Sequence, residues 1–165
     1  MKNNNIGGGT SGLNIAGTQL QASDIAQVLK YSSEISAIPE CAADAAATFS
    51  ESAYRAVHEG APATDFLPHG RLNSARFQGK NAGECCKSWA LSMFESPEQM
   101  KKRFLQIEKT VPNYRLIPGE YCARLKLTSA HGKRTAADKK GHFSFFEYEH
   151  FDGKAVVDKI TPLFP

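Results

Sequence analysis

The apolar positions of the chain change their period part-way along it. Ile25, Val28, Leu29 and Ile35 recur at helical spacing behind Ser23, a residue type suited to an N-cap, and predict a first helix. Pro39 opens an alanine-rich segment in which Ala42, Ala45, Ala46, Phe49, Ala53 and Val57 form an apolar stripe ending near Gly60. That stripe predicts a second helix over about residues 40–58. Residues 60–84 carry Pro62, Pro68, Gly70, Gly79 and Gly83 among polar neighbours and read as loop. Trp89, Ala90, Met93 and Phe94 then supply one apolar face for a helix over about residues 86–95. Ser96-Pro97-Glu98-Gln99 starts the next, with an N-cap serine, proline at the first position and Met100, Phe104, Ile107 and Val111 on its inner face.

From residue 119 the period becomes two. Tyr121, Ala123, Leu125 and Leu127 alternate with Cys122, Arg124 and Lys126, which predicts a half-buried strand over 119–127. Residues 129–141 are basic and glycine-containing and read as loop. His142 to Glu149 forms a second strand, Asp152-Gly153 a hairpin turn, and Ala155 to Ile160 a third strand returning beside the second. Helices first and antiparallel strands afterwards make an α+β architecture, with N-terminal helices packed on a small sheet. The polar residues 1–20 hold too few apolar groups to offset the entropy of ordering and are expected to form a flexible leader before one domain spanning 21–165.

Composition narrows the classes. At 165 residues and 41% hydrophobic content, the chain can bury one ordinary core. Residues 1–60 hold three basic and six acidic side chains, out of totals of 20 and 17, which leaves 17 and 11 for residues 61–165. That skew permits an anionic partner without requiring one. No apolar run is long enough for a membrane span, and no Sec signal core is present. A soluble protein is therefore expected, cytoplasmic or delivered into a host or target cell by a non-classical route. Cys41, Cys85, Cys86 and Cys122 show no metal-knuckle spacing, so reduced thiols, no metal and no cofactor are expected.

The chemistry centres on Asn81-Ala82-Gly83-Glu84-Cys85-Cys86-Lys87-Ser88-Trp89. A thiol becomes nucleophilic when a nearby imidazole or a helix N-terminus stabilises the thiolate. Cys86 falls at the expected helix start, His142 at the mouth of a strand, and Asp158 on the neighbouring strand, where it would orient the imidazole. Trp89, Ala90 and Met93 lie three, four and seven residues beyond Cys86, placing its thiol at the edge of the buried face. Cys85 remains the alternative nucleophile. The Cys86 N–H, helped by Gln78 or Asn81 from the preceding loop, would supply an oxyanion site.

These residues in this order resemble the papain-like cysteine enzymes of bacterial effector and toxin type: proteases, deamidases and transglutaminase-like enzymes. The resemblance covers about residues 77–162. It implies a papain-like fold, a protein substrate attacked at an amide bond, Cys86 as nucleophile, His142 as base and then acid, and Asp158 as its orienter. The sequence departs from the family in its doubled cysteine and in the displaced proline of Asp158-Lys159-Ile160-Thr161-Pro162, and Asp152 is the second candidate for the orienting position.

Two other classes compete. An interaction protein would use the basic loop Lys133, Arg134, Lys139 and Lys140 and the helical N-terminal half to hold a partner. An ADP-ribosyltransferase would use Glu147-Tyr148-Glu149 with Arg124 as its NAD-binding arginine. Phe143, Phe145, Phe146, Tyr148 and Phe151 read as core rather than a base-stacking platform, so nucleic acid is not an expected partner.

Overall fold

The computed structural model describes residues 27–46 and 48–164. The expected leader and the Ser23 cap of the first helix lie outside these residues. Four α-helices, α1 (Ser32–Ser36), α2 (His69–Leu72), α3 (Ala82–Ser88) and α4 (Pro97–Glu108), accompany six strands among the described residues. The strands are β1 (Ser50–Val57), β2 (Leu91–Phe94), β3 (Tyr121–Thr128), β4 (Gly132–Arg134), β5 (His142–Glu147) and β6 (Val157–Pro162). They form one antiparallel sheet in the order β4-β5-β2-β1-β3-β6, so the chain is α+β.

The expected helix over 40–58 is replaced by turns followed by β1. Glu40 and Ala42 adopt left-handed backbone conformations, with φ of 55° and 58°, which interrupt any helix there. From residue 50 the burial alternates, with Ala53, Arg55 and Val57 facing inward. Alanine is the strongest helix former, but propensity is a weak prior against tertiary context, and all eight residues of β1 pair with β3. Tertiary pairing outweighs local propensity here.

The expected helix over 86–95 is displaced towards the N-terminus. Asn81 caps α3, its side-chain oxygen accepting from Glu84 N at 2.9 Å while its amide donates to Glu84 Oε2 at 2.8 Å. The helix ends at Ser88, and Leu91 and Met93 turn inward from β2 opposite Phe145 and Phe143. The following start is as the sequence indicates: Ser96 Oγ accepts from Gln99 N at 3.2 Å, Pro97 opens α4, and Met100 and Phe104 are buried.

The two C-terminal strands form, but not as a hairpin. Asp152 Oδ1 accepts from Lys154 N at 2.9 Å in a local turn, and the chain then crosses to the far edge of the sheet. There β6 pairs with β3, whereas β5 pairs with β2 and β4. The expected loop 129–141 contains edge strand β4. One face of the sheet buries Ala53, Val57, Leu91, Met93, Leu125 and Phe145. The opposite face packs Phe94 and Cys122 against Met100 and Phe104 of α4.

Candidate functional site

The sheet is uneven at its middle. β1 has eight residue pairs with β3 and β2 has four with β5, but β1 and β2 meet only at Tyr54 opposite Phe94. Beyond that pair the two strands diverge, and a cleft of about 330 Å³ lies between them and α4. Its size is at the lower end of small-molecule pockets.

Arg55 holds the split together. Its Nε donates to Asp65 O at 2.5 Å, one terminal nitrogen to Ser92 O at 2.9 Å and the other to Leu67 O at 3.3 Å. The side chain is 8% exposed, and burial pulls its pKa down to about 10, against the opposing influence of Asp65 and Glu147. Asp65, in a 3-10 turn spanning Ala63–Phe66, is committed elsewhere. Its carboxylate accepts from His58 N at 2.6 Å and meets His58 Nδ1 at 2.7 Å, which fixes that imidazole beside the cleft.

The other wall carries a second imidazole. His142 Nε2 lies 2.7 Å from Ser92 Oγ, and its ring meets Phe94 edge-on with centroids 5.2 Å apart. The position follows from register, because His142 pairs with Phe94 and Ser92 with Ser144 on adjacent strands. The turn before β5 delivers the histidine: Asp138 Oδ1 accepts from His142 N at 3.0 Å and from Lys140 N at 2.8 Å. Gly141 has φ of 71°, and a Cβ there would approach the Gln99 side chain to 2.2 Å. Burial holds His142 below the ordinary histidine pKa, with Asp138 opposing and Lys87 and Arg103 adding to the shift. His69, on α2 at the same cleft, is lowered by burial and by Arg55 and Arg76.

The residues singled out from the sequence are dispersed. Cys86, the expected nucleophile, is disulfide-bonded to Cys41 and presents no thiol, which corrects the expectation of four reduced cysteines. Cys85 is free and half-buried, its Sγ directed at Phe77 O (3.5 Å) and Lys80 O (3.6 Å). Asn81 uses its side chain as the α3 cap, and Gln78 is exposed after a 3-10 turn over Ser74–Phe77. Asp158, expected to orient His142, instead pairs with Arg124 and with Lys126 at 3.2 Å. Four strand steps separate β6 from β5, because the anticipated hairpin is absent. Asp152 is spent on its turn.

Nor does the Glu-x-Glu segment meet Arg124. Glu147 is buried with Lys30 Nζ 3.6 Å away, Glu149 is exposed, and Arg124 belongs to β3. Of the candidates, His142 alone lies in the cleft. Arg55, His58, Asp65, His69 and Ser92 were missed. Arg55 carried a usable signal: read as strand, residues 53–57 place an arginine on the inward face between Ala53 and Val57.

Among the described residues, no helix is long and apolar enough to cross a membrane. In comparisons with known proteins, the chain matches no family model, no curated protein and no solved structure.

Proposed function

We propose that the chain is an enzyme working by general acid–base chemistry in the β1–β2 cleft, with His142 as the proton-transferring group. The observation that carries this reading is the 2.7 Å contact between His142 Nε2 and Ser92 Oγ inside a concave site that Arg55 and Arg103 also line. An imidazole held below its usual pKa is neutral at neutral pH, so one ring nitrogen is available to accept a proton. Ser92 and Phe94 restrict the ring's orientation, while Arg55 supplies fixed positive charge where negative charge develops on the substrate. His58, oriented by Asp65, provides a second proton-transfer group in the same cleft. This constellation suits group transfer or hydrolysis on an anionic substrate.

The test is turnover against a panel of phosphate esters, nucleotides and carboxylic esters, repeated with His142→Asn and Ser92→Ala. The reading requires turnover by the wild type and its loss in His142→Asn with an unchanged circular dichroism spectrum. Turnover that survives His142→Asn would rule it out.

A second reading retains the papain-like thiol enzyme. It rests on a cavity of about 320 Å³ lined by Cys41, Cys86 and Lys87, into which reduction of the disulfide would release a thiol. No histidine lines that cavity, which is why this reading stands second. Iodoacetamide labelling with and without prior reduction tests it: Cys86 must react faster than free cysteine once released.

A further inference from the structure

A buried cation normally requires a counter-charge, and Arg55 has none within ion-pairing distance among the described residues. Its three bonded partners are backbone carbonyls, and the nearest acid, Asp65, gives both carboxylate oxygens to His58. A guanidinium offers five N–H donors, so hydrogen-bonding capacity remains at a side chain that lines the cleft. Arg103 of α4 and His69 of α2 line the same space. Asp138, the other acid there, already accepts from two backbone N–H groups. Two arginines and two aspartates therefore line this cleft, but Asp65 is engaged by His58 and Asp138 by backbone N–H groups, and neither is paired with an arginine among the described residues.

The remainder of the lining has a different character. Phe104, Ile107 and Tyr114 offer apolar and aromatic surface, while Leu72 and Ile117 at the same cleft are 51% and 58% exposed. An anionic group on the arginines and a flat, weakly polar body against this surface would satisfy both halves. Two guanidiniums suit a phosphate, whose charge and several acceptor oxygens exceed those of one carboxylate.

We propose that the β1–β2 cleft binds a nucleoside phosphate, its phosphate on Arg55 and Arg103 and its base against Leu72, Tyr114 and Ile117. The proposal rests on the reading of this cleft as the active site and names its substrate class.

Titration calorimetry with AMP, NAD, inorganic phosphate and adenosine tests it, using the full chain. AMP or NAD should bind at least tenfold more tightly than adenosine. Arg103→Gln, at a partly exposed position, should weaken AMP binding about tenfold by removing a charge-assisted contact. His142→Asn should leave that binding within about twofold, since its role lies in proton transfer rather than phosphate binding. Adenosine binding as tightly as AMP, AMP binding insensitive to Arg103→Gln, or no binding of either nucleotide at millimolar concentration would overturn the proposal. His142-dependent turnover of uncharged substrates without nucleotide binding would defeat this inference alone. Nucleotide binding with no His142-dependent turnover would instead defeat the acid–base reading.

Discussion

Removing the Cys41–Cys86 bond tests the part of the structure that most changes the chemistry expected from the sequence. The bond closes a loop across a sequence separation of 45, spanning the turns after α1, β1 and the approach to α3. Restricting an unfolded chain by a loop of that length contributes about 4 kcal/mol in the chain-entropy treatment. With a urea m-value of about 2 kcal/mol/M, its loss should lower the unfolding midpoint by about 2 M. Cys41→Ser should reproduce the effect of dithiothreitol on the wild type and become insensitive to reductant itself. Thiol titration in denaturant supplies a separate count: Cys85 and Cys122 should react before reduction, and all four cysteines after it. Burial pushes Cys122 up to about 11, so in the folded protein its labelling should be slow. Four reactive thiols before reduction, or a midpoint unchanged by reductant, would refute the reasoning.

Further expected outcomes concern charge. His142 and His69 both have folded pKa values below the unfolded value near 6.5, so the unfolded chain takes up protons first. The stability they contribute is present above that pH and declines as pH falls from about 6.5 through the folded values, which urea unfolding at stepped pH will show; activity should fall in the same window as His142 protonates. Glu147 is displaced upwards by burial, which outweighs the opposing influence of Lys30, 3.6 Å away, and of Tyr31. Its ionisation therefore opposes folding as pH rises above about 4.5, and Glu147→Gln should raise stability at pH 7.5 in chemical denaturation. Asp158→Asn breaks exposed pairs with Arg124 and Lys126 far from the cleft and should leave both turnover and the unfolding midpoint nearly unchanged. A loss of activity in that variant would restore Asp158 to the site.

What could be read from the sequence was mainly what neighbouring residues determine. The Ser96 cap and Pro97 fixed the start of α4 locally, and the alternation from Tyr121 to Leu127 survived as β3 because a half-buried strand has its own period. β1 was hidden because its alanines satisfy a helical stripe as well as an inward strand face. Its identity is settled by β3, more than 60 residues further on. The placing of β6 had the same cause in another form. Asp152-Gly153 marks a turn correctly, but a turn does not specify which strand the returning chain joins. The candidate triad depended on that adjacency, so His142 kept a place in the cleft while its supposed partners went elsewhere.

The single rung between Tyr54 and Phe94 also divides the sheet into two three-strand ribbons, β4-β5-β2 and β1-β3-β6. Beyond that rung β1 and β2 have no further residue pair. Sheet margins are ordinarily kept from further pairing because they attract extra strands. Here they face the cleft, where Arg55 already occupies the Ser92 carbonyl. The cleft thus lies between two separately paired ribbons rather than on one continuous sheet, and the Arg55 bond to Ser92 O ties one ribbon to the other.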